Sequence, residues 1–429
     1  MTTRATADVG AAVEDATPTW SVAMAGFAAR RGRSTGVHDP ISVRAIVVDD
    51  TCVISIDVVG LDETICADIR SGAPFDDDRV VVTATHTHSG PAVVIGRLGD
   101  GDEQARTLII EAGIRAAVNA AARRQPAVLE YVDAGALPIA TDRRRGGKPD
   151  AAHLQGLRWR SLGGELLCWL VTYPCHPVVL GPDNRELSGD YPSVLRLDLE
   201  SEAPGSVAVF LTGCAGDVNV GHPPSASFSD TADPRRTFAE AARIGSALAG
   251  TLRDSDWSSS AAMNEHPVAA AFEEFTLRLD PLDDAPPDVL AEEWRRRLPG
   301  VGDGEAAVLD EWIAWSQRPL VGLPAMWSGS VTALRWGPVV VVCLPGEPFL
   351  ALGTAISAQS TSALCLVVGY ANGCPGYLPT ADAYTDGGYE VRDAHRYYGM
   401  PAPFAIGSGE AVGEAAVRAM TRVEGTGSG

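Results

Sequence analysis

Two histidines stand two residues apart at the end of an apolar run, Val80-Val-Val-Thr-Ala-Thr-His86-Thr-His88-Ser-Gly-Pro91. Such a run reads as a strand. In a strand residues i and i+2 share a face, so both imidazoles point into one pocket at the strand's end. Taken alone, the pair reads equally well as metal ligands or as two hydrogen-bonded turn histidines. The same grammar recurs twice. Leu166–Tyr173 is followed by Pro174-Cys175-His176-Pro177, and Val339–Leu344 by Pro345-Gly346-Glu347-Pro348. By itself Glu347 reads as a carboxylate stabilising the N-terminus of a helix that begins at Pro348. Together, two histidines and a carboxylate, each just past a strand end, form the ligand set of a catalytic zinc site.

Rival chemistries can be tested on the same residues. A metallo-β-lactamase pattern needs Asp-His shortly after His-x-His, and Gly90-Pro91 occupy those places. Barrel amidohydrolases also begin with His-x-His, then need a bridging lysine or carboxylate and further histidines on successive strands. The single lysine, Lys148, lies in the polar loop Arg143–Asp150. His38, His153, His222, His266 and His395 do not follow strands in that rhythm. The Gly-x-Ser-x-Gly match Gly32-Arg33-Ser34-Thr35-Gly36 follows no apolar strand-like run, so it does not read as the nucleophile elbow of a serine hydrolase. With one lysine, Schiff-base chemistry and a phosphate-cradling P-loop have almost no candidate.

The elements that must position these residues are visible as apolar runs with strand character: Arg44–Val48, Cys52–Val59, Val80–Thr85, Leu166–Thr172, Val207–Thr212, Val339–Leu344 and Leu364–Val368. Helix-period segments lie between them at Glu103–Arg124, Thr237–Arg253, Val289–Leu298, Ala306–Trp315 and Glu410–Val423. Alternation of the two predicts an α/β fold, with mixed central β-sheets and flanking helices. Residues 18–424 are expected to form one catalytic domain, between a flexible arm at 1–17 and a flexible tail at 425–429. The acidic, Pro-rich stretch Asp280–Trp327 carries Trp294, Trp312, Trp315 and Trp327 and reads as a helical insertion. It could cover an active site with aromatic faces, or pack its own tryptophans as a peripheral pair.

Of the 429 residues, 34 are Lys or Arg and 55 are Asp or Glu, a net charge of −21. That sign excludes a nucleic-acid backbone partner, which needs a basic face, and disfavours anionic lipid. No apolar run approaches the ~20 residues that span a bilayer, so no stable membrane insertion is expected. The N-terminus, with Asp8, Glu14 and Asp15, has no apolar segment of a secretory signal. The eight cysteines form no C-x-x-C pair and sit mostly in apolar runs. They predict reduced, buried thiols and a cytoplasmic protein.

From Met24 to Val391 the chain resembles the neutral (non-lysosomal, alkaline) ceramidases and their shorter bacterial relatives. The resemblance rests on Met24-Ala-Gly-Phe, Gly36-Val-His38-Asp-Pro, Thr85-His-Thr-His-Ser-Gly-Pro91, Tyr173-Pro-Cys-His176-Pro and Leu187-Ser-Gly-Asp190-Tyr-Pro. It continues through Gly213-Cys-Ala-Gly-Asp217-Val-Asn219, Pro345-Gly-Glu347-Pro, Tyr370-Ala-Asn372-Gly-Cys-Pro-Gly-Tyr377-Leu-Pro-Thr380 and Gly388-Tyr389-Glu390. It implies Zn²⁺ held by His86, His176, Glu347 and Tyr377. It also implies that His88 faces the substrate without binding metal, that Tyr389 is a second active-site tyrosine, and that Arg143 faces the substrate. The register of Arg143 against Arg144 and Arg145 is open, and a solvated basic loop is the alternative.

The implied reaction is hydrolysis of a linear amide, with attack by a zinc-bound water. The same site could instead serve biosynthesis, by amide formation, acyl transfer or cyclisation. Two departures bear on the substrate. The ceramidases carry a C-terminal β-sandwich that this chain is expected to lack. Their Gly-Asp-Val motif also continues Ser-Pro-Asn, where this chain has Asp217-Val-Asn219-Val. The expected partner is therefore a small soluble amide rather than ceramide in a membrane.

Overall fold

A computed structural model describes residues 6–98, 101–223, 226–227, 233–259, 267–281, 285–318 and 326–425. Numbering strands of five or more residues, the chain forms β1 (Ala7–Asp15), β2 (Ser42–Val48), β3 (Thr51–Ile56), β4 (Val80–Ala84), β5 (Gln125–Ala136), β6 (His153–Ser161), β7 (Leu166–Tyr173) and β8 (Val207–Thr212). These build one mixed sheet in the order β8-β7-β6-β5-β1-β2-β3-β4, with the short strand Ser258–Ser259 added to β5. A second sheet follows: β9 (Ala269–Arg278), β10 (Met326–Trp336), β11 (Val339–Cys343) and β12 (Leu364–Val368), in that spatial order. The helices are α1 (Glu63–Gly72), α2 (Glu103–Ala122), α3 (Tyr191–Glu202), α4 (Phe238–Arg253), α5 (Pro287–Arg297), α6 (Asp303–Ser316), α7 (Leu350–Ser357), α8 (Ala383–Asp386), α9 (Tyr389–Arg392) and α10 (Ser408–Gly425). Among the described residues no helix is long and apolar enough to cross a membrane.

Among the twelve numbered strands most pairings are antiparallel, but three are parallel: β3 with β4, β7 with β8, and β11 with β12. A parallel pair needs a crossover, and α1, α3 and α7 supply the three. Strands in these units are apolar on both faces because both faces are covered. Val53, Leu170, Val209, Trp159 and Trp336 pack between the sheets, while Ile54 and Cys52 face α1 and α2 on the outside. Phe210 and Trp169 face α3 and α4, and Val340 and Val342 face α10. The architecture is thus four layers, helix-sheet-sheet-helix.

The large sheet curls until its two edge regions meet. Ser55 Oγ on β3 donates to Phe210 O on β8 at 2.6 Å, and Thr212 Oγ1 donates to Thr85 O at 2.6 Å. The segment after β12 stitches this junction. Gly369 N donates to Thr212 O at 3.0 Å and Asn372 N to Val82 O at 2.7 Å. The C-terminal ends of β4, β8 and β12 therefore converge at one place.

Two sequence expectations change. Residues 7–15 are not a flexible arm. As β1 they sit mid-sheet, paired with β2 and β5, and Val9 and Ala12 are fully buried. Small residues on both faces let this strand pass under α2: a Cβ on Gly10 would lie 2.2 Å from Ala120 O. Trp327 belongs to β10 rather than to a helical insertion, and α5 and α6 lie between β9 and β10. Of the expected tail, residues after Gly425 lie outside the described residues.

Candidate active site

His86 follows β4 and is reached through a sharp turn. Its φ of 65° is left-handed, a costly conformation for a non-glycine residue. Backbone bonds hold it there: Thr85 N donates to Ile56 O at 2.8 Å and His86 N to Val58 O at 3.0 Å. His176 follows β7, where its N donates to Val218 O at 3.0 Å. Glu347 follows β11. It does not start a helix, since α7 begins at Leu350; Glu347–Pro348 instead pairs in parallel with Tyr377–Leu378. The preceding Gly346 has φ 67°, and a Cβ there would lie 2.5 Å from Gly376 O.

The three side chains converge. Glu347 Oε2 lies 2.9 Å from His176 Nε2 and 3.3 Å from His86 Nε2. All three are buried. His88, on the same side, places its Nε2 at 3.3 Å from His86 Nε2, with its ring 4.8 Å from that of Phe27. Ligand atoms of His86, His88 and His176 all lie within 4.8 Å of one another.

Hydrogen bonding tests whether this group suits a cation. His86 Nδ1 is 2.5 Å from Val59 O, and His176 Nδ1 is 2.7 Å from Ala215 O. A carbonyl only accepts, so each Nδ1 carries the hydrogen and each Nε2 presents a lone pair. Two lone pairs and a carboxylate then face one another, an arrangement that a cation satisfies. At His176 protonation does not replace it, because burial, then Arg143, lower its pKa to about 4. Burial, with His86 and His176 nearby, also holds His88 well below its ordinary value. The donor set fits a divalent metal with nitrogen and oxygen preference.

Tyr377 lies beside Glu347 through the backbone pairing, its ring 6.5 Å from that of His176. Arg143 Nη2 donates to Tyr377 Oη at 3.0 Å and to Gly216 O at 2.8 Å, and its Nε sits 2.9 Å from Glu390 Oε1. Burial opposes the Arg143 charge, but Tyr377 and Glu390 raise its pKa well above the ordinary value. Burial likewise pushes the Tyr377 phenol up, against Arg143. Arg144 instead bonds Glu390 and the carbonyls of Ala383 and Gly387 at the two ends of α8, and Arg145 is exposed beside Asp382 and Asp386. Of the three arginines, Arg143 is the one beside Tyr377, and it stands behind that tyrosine. Tyr389 lies 5.8 Å from the Tyr377 ring, and burial raises its pKa well above the ordinary value.

His88, Tyr377 and Tyr389 share a cavity of about 70 Å³ with Val93, Arg97, Tyr397 and Tyr398. A Cβ on Gly26 would come within 2.7 Å of the His88 ring, so this wall needs glycine. A larger open groove of about 360 Å³, lined by Thr172, Cys214 and Thr354 among others, holds none of the predicted ligands.

Against solved structures, the chain matches neutral ceramidase from Pseudomonas aeruginosa with a TM-score of 0.75 at 16% identity. The match covers 98% of this chain and 75% of that one. A ceramidase complexed with C2 matches with a TM-score of 0.74, also at 16% identity, over 99% and 76%. The chain has a neutral-ceramidase-like fold. No family model matches its sequence, and no curated protein does either.

Within this ceramidase-like fold, two tyrosines that the sequence reading missed touch Glu347. Tyr398 Oη donates to Oε1, and Tyr370 Oη lies 3.4 Å from Oε2, with its ring stacked 4.2 Å from that of His86. Tyr370 follows β12 and obeys the strand-end rule; Tyr398 carries no such signal. The tryptophans of α5 and α6 do not line the cavity. Trp294, Trp312 and Trp315 surround the Arg396 guanidinium at 5.1, 4.6 and 5.4 Å. They reach the cavity wall only indirectly, where Trp312 Nε1 donates to Tyr397 Oη at 3.0 Å.

Proposed function

We propose that this chain is a zinc-dependent hydrolase of linear amides, acting in the cytoplasm on a soluble N-acyl metabolite rather than on membrane ceramide. The observation that carries this reading is the convergence of His86, His176 and Glu347 at three strand ends, with both histidine Nδ1 atoms committed to carbonyls. The ceramidase-like fold supports amide chemistry, and eight buried, unpaired cysteines support a reducing compartment.

His86, His176, Glu347 and Tyr377 would hold the ion. When bound, zinc supplies a Lewis acid and lowers the pKa of a bound water toward ~7. Arg143 donates to the Tyr377 oxygen and offsets negative charge there. His88 presents a neutral imidazole that accepts a proton or steadies the developing oxyanion. Tyr389 donates its O–H to the oxygen of the tetrahedral species. The apolar wall around Val93 excludes water from the reacting amide.

The test combines metal analysis of the purified protein with mass-spectrometric turnover of an N-acyl panel. Zinc near one per chain and release of acid plus amine, lost on chelation and restored by zinc, are expected. Zinc-loaded protein that hydrolyses no member of the panel refutes the proposal.

A further inference from the structure

Apart from its histidine, the cavity carries one ionisable cation, Arg97. Its remaining walls are aliphatic or phenolic, Val93, Val94 and Tyr397 among them. Arg97 is anchored from one side: Nη1 donates to Cys374 O at 2.6 Å, and Cζ sits 5.8 Å from the centre of the Tyr398 ring. Among the described residues it has no carboxylate partner, although the chain holds 55 acidic residues. Nearby Arg143 and Arg144 differ, since both are matched to Glu390. A guanidinium that lines an apolar cavity, is only partly exposed and, among the described residues, makes no ion pair is a ready partner for an anion.

We propose that Arg97 reads a carboxylate on the substrate, so that the cavity takes an amide with an apolar acyl part and a carboxylate-bearing part, as in an N-acyl amino acid. The inference rests on the hydrolase reading above and narrows its substrate class. A planar fork of N–H donors matches a carboxylate in charge and shape. A neutral N-acyl amino alcohol of the ceramide kind would cover the guanidinium without a counter-charge, at a desolvation cost.

Binding separates this inference from the catalytic reading. Isothermal titration of the zinc-loaded protein uses a non-hydrolysable ketomethylene isostere of N-octanoylglycine, as the free acid and as its primary amide. The acid should bind about 10- to 100-fold more tightly, the range that a hydrogen bond to a charged group supplies. Arg97→Gln should bring the two within about twofold, and Arg97→Lys should keep part of the preference. Equal binding to the wild type, tighter binding of the amide, or no measurable binding of the acid overturns the proposal without need of a folded variant. An unchanged preference in folded Arg97→Gln overturns it too. If the acid preference stands while no amide is turned over, the hydrolase reading fails and the carboxylate site survives.

Discussion

Asp57 is a fully buried charge beneath the candidate site, and removing it should unlatch the junction on which His86 depends. Its two oxygens receive Arg196 Nη1 and Nη2, both at 2.8 Å, with neither side chain more than 2% exposed. Ser42 N at 3.0 Å, Ser42 Oγ at 2.8 Å and Thr85 Oγ1 at 3.1 Å complete the set. The pair ties β2, α3 and the end of β4 together, one residue before His86. Asp57→Ala strands a buried guanidinium, and breaking such a pair from one side costs about 3–5 kcal/mol. At roughly 2.1 cal/mol/K per residue, a 429-residue chain unfolds with about 0.9 kcal/mol/K of entropy, so Tm should fall by about 3–6 °C.

Removing both partners, as Asp57→Ala with Arg196→Met, should cost less than the sum of the singles, because no uncompensated charge remains. The pH dependence has a definite sign. Burial would raise Asp57, but Arg196 and Ser42 win and depress it. Its stabilisation is therefore complete above the unfolded value of about 3.9 and is lost as pH falls below that. Calorimetry at pH 7 and pH 3.5 should show the difference between wild type and Asp57→Ala narrowing in acid. A Tm change under 1 °C at pH 7, or a double variant as unstable as the summed singles, refutes the reasoning.

Four further outcomes are expected. His86→Ala and His176→Ala should each lose most bound zinc, measured by elemental analysis of folded protein, whereas His88→Ala should retain it and lose activity. Equal zinc loss in all three would move His88 into the ligand set. Tyr389→Phe should keep zinc and slow turnover by about 10²–10³, the usual cost of one oxyanion donor; unchanged kcat would leave it a packing residue. Trp312→Phe removes the bond to Tyr397 and should alter kcat/KM across an amide panel while zinc content stays constant; a flat response detaches the helical insertion from specificity. His395 is buried, which depresses its pKa to about 3, and its ring lies 5.3 Å from that of Trp315. Its contribution to stability is present above the unfolded value of about 6.5 and lost as pH falls from there toward 3. His395→Gln should flatten the fall in Tm between pH 6.5 and 5, and a parallel fall would place the titration elsewhere.

The strand ends were legible because their chemistry is local. Val80–Thr85, Leu166–Thr172 and Val339–Leu344 are apolar, β-branched runs cut by proline or glycine turns, and they became β4, β7 and β11 almost residue for residue. β1 escaped because Ala-Asp-Val-Gly-Ala-Ala-Val-Glu-Asp has little hydrophobic contrast. Its alanines and glycine are chosen for close approach to α2, which only the folded chain reveals. Tyr398 was hidden for another reason. It lies in a turn after α9, 51 residues from Glu347, and no periodicity links the two.

The charge sum also misled in one respect. A net −21 describes the surface, whereas the interior is rich in arginine: Arg30, Arg44, Arg196 and Arg396 are buried, and the Arg143 side chain is only 7% exposed. Guanidinium is the cation best suited to such places, since it stays charged and makes several directed bonds at once. Here each arginine closes a joint between distant segments. Arg196 locks α3 to β3, Arg143 joins the 213–217 loop to Tyr377, and Arg30 binds the carbonyls of Ala25, Gly181 and Asn184. A candidate site assembled from three separate strand ends needs such joints, because its residues come from segments far apart in the sequence. Arg97 stands apart in that company: it lines the cavity and closes on a single carbonyl. That contrast singles it out as a group that meets the substrate rather than one that holds the fold.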